Sequence, residues 1–336
     1  MKEIFKIFVL IVLFSLFNCS PKDFPQAEMI KIETDLIDYI DSLAFTSQDS
    51  NQYIQPDAQE ILDFRNSVRH CLDNIKDQCL SSLSQLDYSL VELTDSGNND
   101  KKYLGLIGNK LKGRGAYFIN IDATNNYVIS APHSHFETNT DIQSGLIFRG
   151  CNAKYLAIST SHRCSNTEYS SCSGTTSVCG STDPHRISDS AHNINSYFQI
   201  FHEEVYNHSN TTVFQLHGFS YDSGDPSVIV SNGTNIDLDA TSIVNLFATN
   251  LENLLNDASV GAYCNSCNEI GDPDYLCGTT NIQGRFINGL SHDDACNIYA
   301  PTSSNKFFHI EQSYDLRTES GNLNPNILIS AIKITF

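Results

Sequence analysis

The chain has 336 residues, of which 40% are hydrophobic, enough for a sizeable buried core. It carries 20 lysine and arginine residues against 39 aspartate and glutamate residues, which gives a formal net charge of -19. Such a surface repels a phosphate backbone and anionic lipid, so we expect no nucleic-acid binding and no electrostatic docking on a membrane.

The first residues have the pattern of an exported protein. Two lysines flank the start of an apolar run over residues 7–17, which is too short to span a bilayer. The run leads into Cys19 in a context that resembles a bacterial lipobox, with Asn18 where a smaller residue is usual. We predict a signal peptide over residues 1–18 and a lipidated tether over residues 19–30, which gives a cell-envelope lipoprotein. The alternative is ordinary signal cleavage with Cys19 unmodified.

The other ten cysteines support export, because an even number in an exported chain suggests disulfides. Their clustering predicts local pairing: Cys71 with Cys79, two bridges within residues 151–179 and two within residues 264–296. The Cys264-Asn-Ser-Cys267 stretch is compatible with half a zinc site or a redox pair. No second C-x-x-C accompanies it, so we favour structural disulfides.

The region before residue 101 reads as helical. Residues 28–45 and 57–92 have apolar side chains at three- and four-residue steps, which predicts helices. Residues 95–102 are polar and rich in turn formers. We take them as a boundary between a helical N-terminal segment, residues 31–100, and a main domain, residues 101–336.

Beyond this boundary, short apolar runs alternate with helical patterns. The runs predict strands over residues 116–121, 127–130, 154–160, 211–216, 227–230 and 306–310. The helical patterns predict helices over residues 188–207, 240–255 and 326–334. Residues 122–126 predict a hairpin turn, and two cysteine-bearing insertions, residues 161–186 and 261–296, are expected to depend on disulfides. The alternation predicts an α/β fold with a mixed sheet.

One predicted strand ends in a group of potential metal ligands. Pro132 cannot donate to a sheet ladder, so His133, His135 and Glu137 should lie in the loop beyond the strand's carboxyl end. In open α/β sheets ligands bind at that edge. Imidazole nitrogens and carboxylate oxygens are ligands that suit zinc, and either histidine is a candidate.

Two more predicted strands end in similar side chains, one in His217 and one in Glu311. A catalytic zinc takes three protein ligands, which His133, Glu137 and His217 supply. Glu311 is then left as a general base for water activated by the metal. An arginine would polarise the carbonyl or hold a substrate carboxylate. The candidates are Arg149, Arg163, Arg186 and Arg317.

These motifs resemble the zinc-carboxypeptidase-like superfamily and are most similar to its phage-type poly-γ-glutamate hydrolases. The matching residues are Pro132-His133, Glu137 and Thr140, then His217-Gly218, then Glu311, Ser313 and Arg317. The resemblance implies a three-layer α/β domain, with Zn²⁺ held by His133, Glu137 and His217. It also implies Glu311 as catalytic acid/base, and we predict Arg317 as the catalytic arginine. The usual spacing is His-x-x-Glu, whereas three residues separate His133 from Glu137 here.

A second polar group spans residues 186–193, at the start of a predicted helix that would favour an anionic ligand. We predict that Arg186 and His192 bind substrate, together with Arg149 and His135. The alternative for residues 186–193 is a plain helix cap with a surface histidine. We expect five further histidines at the surface: His162, His185, His202, His208 and His292.

Two functions remain open from the sequence. The first is an exported, lipid-anchored zinc hydrolase of peptide or amide bonds, γ-glutamyl bonds among them, which touches the membrane only through its lipid. The second is a surface lipoprotein with a degenerate hydrolase fold, whose disulfide-held loops bind a host or envelope partner. A serine hydrolase is disfavoured because the chain has no Gly-x-Ser-x-Gly motif.

Overall fold

The computed structural model describes residues 28–108, 111–220, 226–257, 264–270, 275–317 and 325–336. The predicted signal peptide, Cys19 and nearly all of the predicted tether lie outside these residues. Within the described residues, no helix has both the length and the apolar character needed to cross a membrane.

The described residues form strands and helices that alternate along the chain. The strands are β1 (Ile30–Thr34), β2 (Tyr88–Asp95), β3 (Lys101–Gly108), β4 (Ala116–Ile119), β5 (Asn125–Ala131), β6 (Ala153–Ile158), β7 (Thr175–Thr176), β8 (Asp183–Pro184), β9 (Thr212–Phe219), β10 (Val228–Ser231), β11 (Cys264–Ser266) and β12 (Phe307–Ser313). The helices are α1 (Leu36–Asp41), α2 (Ala58–Leu72), α3 (Lys76–Gln85), α4 (Thr140–Gly150), α5 (Tyr197–Ser209), α6 (Ile243–Asp257), α7 (Ile282–Ile287), α8 (His292–Asn297), α9 (Tyr314–Arg317) and α10 (Pro325–Thr335).

Ten of these strands form one mixed sheet in the order β1-β2-β3-β4-β6-β5-β9-β12-β10-β11. At its centre β6, β5, β9 and β12 run parallel, while β2, β3 and β4 are joined by antiparallel pairings. The carboxyl ends of the central parallel strands therefore meet at one edge, where a ligand site is expected in such folds.

Helices cover both faces of the sheet. On one face α1, α4, α6 and α10 pack against side chains such as Phe118, Phe214 and Phe308. On the other face α2, α3, α5 and α7 pack against the alternate side chains, among them Tyr117 and Val213. Successive strand residues point to opposite faces, so these two apolar layers give a three-layer structure. The predicted α/β class with a mixed sheet is confirmed.

Local sequence explains why α2 begins where it does. Asp57 and Glu60 form a capping box: each carboxylate accepts the other's backbone N–H, at 2.8 and 3.1 Å. Phe64, Val68 and Cys71 follow at helical spacing and are buried against the sheet.

The helical prediction for the N-terminal segment is wrong at both ends. Residues 30–34 and 88–95 are strands β1 and β2, which pair in parallel at one side of the sheet. Residues 95–102, predicted as a boundary, include the connection from β2 to β3, which are antiparallel neighbours. Residues on either side of that turn thus belong to the same sheet.

Two other predictions about local structure are wrong. Residues 122–126 do not form a hairpin turn, because β6 lies between β4 and β5 in the sheet. The helix predicted from Ser188 begins only at Tyr197, with the Ser196 hydroxyl as its cap. The preceding residues stay in a loop because their side chains bond elsewhere; Ser190, for example, contacts Ser159 Oγ at 2.7 Å.

The described residues form four disulfides: Cys71–Cys79, Cys164–Cys179, Cys172–Cys296 and Cys267–Cys277. The predicted Cys71–Cys79 pair is confirmed. The prediction of two local bridges in each later cluster is wrong, because Cys172 pairs across the clusters with Cys296, 124 residues away. Cys151, at the C-terminal end of α4, is a buried free thiol.

Candidate metal and active site

Three neighbouring parallel strands deliver the candidate site residues to one sheet edge. The chain leaves β5 at Ala131 and reaches His133 two residues later. His217 lies within β9 and Glu311 within β12, and the two residues are direct partners in the register of that pair. The sheet itself therefore brings together side chains that are almost one hundred residues apart in sequence.

The loop after β5 explains the unusual spacing of its two ligand candidates. The backbone N–H of Glu137 donates to the carbonyl of His133 at 2.8 Å, which makes one turn of helix-like geometry. Residues four apart lie on the same side of such a turn. Three intervening residues therefore bring the His133 and Glu137 side chains into contact.

His133, Glu137 and His217 form a compact buried group. His133 Nδ1 lies 2.7 Å from Glu137 Oε1, and His217 Nδ1 lies 3.4 Å from Glu137 Oε2. One candidate ligand atom from each residue lies within 4.8 Å of the other two. Two imidazole nitrogens and a carboxylate oxygen facing one point are the donor set of a three-ligand divalent-metal site, so the residues fit a metal ion.

His133 is held from its other side by a buried ion pair. Its Nε2 lies 2.8 Å from Asp189 Oδ1. Arg163 donates to Asp189 Oδ2 through Nη2 at 2.7 Å and through Nε at 3.0 Å. A carboxylate on the second nitrogen of a ligating histidine fixes the ring and its tautomer.

The pKa values of the two histidines in this group are shifted in opposite directions. Burial and Arg163 oppose protonation of His133, but Glu137 and Asp189 outweigh them and raise its pKa to about 9. Burial lowers the pKa of His217, against the attraction of Glu137. Burial also disfavours ionised Glu137, yet the two histidines hold its pKa well below the usual range. Glu137 is therefore an ionised ligand candidate between the two imidazoles.

Glu311 stands beside this group without belonging to it. Its Oε1 lies 4.0 Å from His217 Nδ1 and 3.7 Å from Nε2 of His309. Its Oε2 is buried and has no hydrogen-bond partner among the described residues. Burial, followed by the charge of Glu137, raises the pKa of Glu311 to about 8. A carboxyl group with a pKa near neutrality can both take up and release a proton.

The group lies in a cavity of about 750 Å³. Its walls include Phe136, Arg163 and Tyr314, while Thr176 and Leu276 come from the two cysteine-bearing insertions. The Cys172–Cys296 bridge joins these insertions. The disulfide-held loops therefore form part of the cavity wall.

Arg317 also lines the cavity, as its predicted catalytic role requires. Its Nε and Nη1 donate to the carbonyls of Gln312 and Thr138, at 3.2 and 2.8 Å. A Cβ atom on Gly218 would lie 2.1 Å from the Arg317 Cζ. Glycine after His217 thus makes room for the guanidinium beside the candidate ligands.

Of the predicted substrate-binding residues, the structure brings only His192 to the cavity. It is buried there, and its Nδ1 lies 3.1 Å from the carbonyl of Thr280. His135 does not line the cavity and stacks on Phe45, whereas His133, the alternative candidate, contacts Glu137.

The predictions for two arginines are not supported by their positions. Arg149 forms ion pairs with Asp35 at 2.6 Å and Asp95 at 3.1 Å, which attach α4 to the edge of the sheet. Arg186 packs on the ring of Tyr169 and does not line the cavity. Both side chains have structural partners that their sequence context did not reveal.

A second cluster, His185, Asp189 and His192, also has ligand atoms close together. The two imidazole rings are stacked, with centroids 3.5 Å apart and planes inclined by 7°. Imidazole lone pairs lie in the ring plane, so those of two stacked rings do not converge on one ion. The prediction that His185 lies at the surface is wrong, as it is for His162 and His202.

Three residues of the site were not assigned a role from the sequence: Asp189, His309 and Gln215. Asp189 lies in the stretch whose alternative was a plain helix cap, whereas Arg163 was one of the four candidate arginines. His309 and Gln215 lie two residues before Glu311 and His217, on the same side of their strands. That two-residue spacing is the one signal that places them near the site.

Comparison with known proteins gives structural matches alone. No model of a protein family matches the chain, and no curated protein sequence matches it. A bacteriophage poly-gamma-glutamate hydrolase is 13% identical with a TM-score of 0.35, covering 67% of this chain and 90% of that one. A metallo-carboxypeptidase from Burkholderia cenocepacia is 12% identical with a TM-score of 0.36, covering 76% and 66%. One from Pseudomonas aeruginosa is 10% identical with a TM-score of 0.33, covering 66% and 60%.

A poly-gamma-glutamate hydrolase and metallo-carboxypeptidases are also the proteins that the sequence motifs resemble.

Proposed function

We propose that this chain is a zinc-dependent hydrolase of peptide or amide bonds. The observation that carries the proposal is the convergence of His133, Glu137 and His217 in a buried group, with Glu311 4.0 Å from His217 and a cavity above them. Three ligands with a carboxylic acid beside them are the parts that metal-assisted hydrolysis needs.

Zinc is the metal that we assign, because two imidazoles and one carboxylate match its preferred ligands. When bound, it supplies Lewis acidity that polarises a substrate carbonyl and makes water more acidic. His133 and His217 would offer Nδ1, and Glu137 a carboxylate oxygen. Asp189 would hold His133 in position from behind.

Glu311 would move the proton in this reaction. Glu311 lines the cavity, and its Oε2 has no hydrogen-bond partner among the described residues. With a pKa raised to about 8, Glu311 can accept a proton from the attacking water at one of its oxygens and return it to the leaving nitrogen.

Arg317 would bind or polarise the substrate. Its guanidinium lines the same cavity as Glu311 and is oriented by two backbone carbonyls. A fixed guanidinium binds a carboxylate through parallel hydrogen bonds or stabilises negative charge on a carbonyl oxygen. Peptides and γ-glutamyl amides that carry a carboxylate are therefore the first substrates to screen.

The cellular setting is part of the proposal. We infer an exported protein held to the membrane by lipid on Cys19. The four disulfides among the described residues support export, because such bonds persist in oxidising compartments. Mass spectrometry of Cys19 from the native membrane tests the lipid; an unmodified Cys19 contradicts it.

Metal content tests the function. The purified protein should hold about one zinc per chain, and His217→Ala should lose it. His208→Ala is the matched control, since His208 is exposed on α5. A folded protein that holds no zinc and does not bind added zinc would contradict the hydrolase proposal and favour a binding function.

A further inference from the structure

His217 makes different contacts through its two ring nitrogens. Nδ1 faces Glu137 at 3.4 Å, whereas Nε2 lies 2.9 Å from Oε1 of Gln215. An amide oxygen can only accept a hydrogen bond, so this contact requires a proton on Nε2. The orientation of one buried amide therefore decides which nitrogen of His217 keeps its lone pair.

The orientation of Gln215 is set by its neighbours. Nε2 of Gln283 donates to the backbone carbonyl of Ser190 at 3.0 Å, and a carbonyl can only accept. Oε1 of Gln283 must then face Gln215, which donates to it through Nε2 at 3.2 Å. This leaves the Gln215 oxygen turned towards His217. Asn281 Nδ2 donates to that same oxygen and supports the arrangement.

The chain of amides continues to a second fixed acceptor. Gln283 donates to Oε1 of Gln199 at 2.8 Å, and Gln199 donates to Oε1 of Glu203 at 2.9 Å. Glu203 is in turn bound by Arg65 at 2.6 Å, between α2 and α5. The three glutamines are completely buried. Every donor points away from His217, so reversing one amide would place like groups face to face.

We propose that Gln215 is a positioning residue that selects Nδ1 of His217 as its metal-binding atom. The proposal rests on the metal site assigned above and names a residue that acts on it. Asp189 fixes His133 in the same way, but there the acceptor is a charged carboxylate. The neutral amide at His217 fixes the tautomer without adding a further negative charge beside Glu137.

The structure offers a matched control for removing a buried glutamine. Gln143 and Gln312 donate to each other's side-chain oxygens, both at 2.8 Å, between α4 and β12. Gln143→Met removes a buried amide, as Gln215→Met does, but leaves the contacts of His217 intact.

The first readout is the tautomer of His217 in the metal-free protein, measured by long-range ¹H–¹⁵N NMR on ¹⁵N-histidine-labelled samples. The signals are assigned by their absence in His217→Gln. The Nε2–H tautomer is expected in the wild type and in Gln143→Met, and its loss or a mixture in Gln215→Met. The Nδ1–H tautomer in the wild type, or an unchanged tautomer in Gln215→Met, overturns the proposal.

The second readout is the zinc dissociation constant from chelator competition. Because Gln215→Met removes the hydrogen-bond partner of a metal-binding histidine, it should raise the zinc dissociation constant about 10- to 100-fold. Gln143→Met should stay close to the wild type, and equal constants in all three proteins contradict the proposal. If Gln215→Met does not fold, Gln215→Glu replaces it, because glutamate keeps the acceptor oxygen. Gln215→Glu should retain the Nε2–H tautomer of His217, and the Nδ1–H tautomer in that variant would also overturn the proposal. The tautomer is measured without metal or substrate. The proposal about Gln215 can therefore be supported or contradicted independently of the hydrolase function.

Discussion

Glu311 has one oxygen 3.7 Å from His309 and 4.0 Å from His217, and a second oxygen without a protein partner among the described residues. In the proposed reaction this position separates proton transfer from metal binding. His133, Glu137 and His217 form one group of possible metal ligands, while Glu311 belongs to a different group, with His217 and His309. Changing Glu311 alone should therefore affect catalysis and leave metal affinity largely intact.

Glu311→Gln should retain zinc and lose about 10²- to 10⁴-fold in kcat, the range for a removed general acid–base group. Metal analysis and steady-state kinetics on the same sample give both values. Glu168→Gln, at an exposed position, is the control. Full activity of Glu311→Gln would contradict the role given to this carboxylate.

His202 provides a pH test away from the cavity. Burial lowers the pKa of its imidazole to about 4, and its Nδ1 lies 2.7 Å from the carbonyl of Phe198. Because the folded pKa lies below the unfolded value, the fold requires neutral His202. Its contribution is complete above about pH 6.5 and is lost as the pH falls towards 4.

Between pH 6.5 and 4 the free energy of unfolding of the wild type should fall by about 3 kcal/mol more than that of His202→Leu. Denaturant unfolding at several pH values measures the difference. His208→Leu, which removes an exposed histidine of the same helix, should keep the wild-type slope. Parallel curves for wild type and His202→Leu would refute the assignment.

At the residue scale, sequence reasoning located His133, Glu137, His217 and Glu311 because apolar runs that end in polar ligands are visible in one dimension. It did not locate Asp189. The loop of residues 187–196 has no periodicity, and its conformation depends on partners such as Arg163 that lie beyond another strand.

At the scale of elements, α2 is attached to α5 by buried charges. Arg65 contacts Glu203 at 2.6 Å and Glu204 at 2.5 Å, and Arg69 contacts Glu204 at 2.5 Å. Both glutamate side chains are no more than 3% exposed. Removing one partner of a buried charge is costly, because the other charge stays buried without it.

Arg65→Met should lower the free energy of unfolding by about 3 kcal/mol. Lys102→Met is the comparison: Lys102 pairs with Glu92 at 3.4 Å but is 59% exposed, so its loss should cost less than about 1 kcal/mol. Thermal or denaturant unfolding of both variants checks this order. Equal losses would show that the α2–α5 pair contributes no more than a surface ion pair.

Strands and helices differ in how well the sequence predicts them. The runs that became β5, β9 and β12 were located because their apolar residues are continuous, as in strands covered on both faces. The order of the strands was not predicted, since β6 lies between β4 and β5, where a hairpin was expected. The α2 and α3 patterns were helical as predicted, but the run extended into β2, whose apolar residues are also periodic.

At the scale of the whole molecule, the sheet and the disulfides act on the same cavity. The central strands place the candidate ligands at its floor, and the Cys172–Cys296 bridge joins the two insertions in its wall. Sequence cannot give that bridge, because ten cysteines allow many pairings and local clustering favours short loops. The insertions are thus part of the wall of the candidate site.

The central claim is that one zinc ion binds between His133, Glu137 and His217. A crystal structure of the protein as purified, with anomalous data collected on both sides of the zinc absorption edge, tests it most directly. We predict a single strong peak about 2.0–2.2 Å from one atom of each of these residues. An occupied peak at His185, Asp189 and His192 instead, or an empty cavity in crystals grown with zinc, would contradict the account.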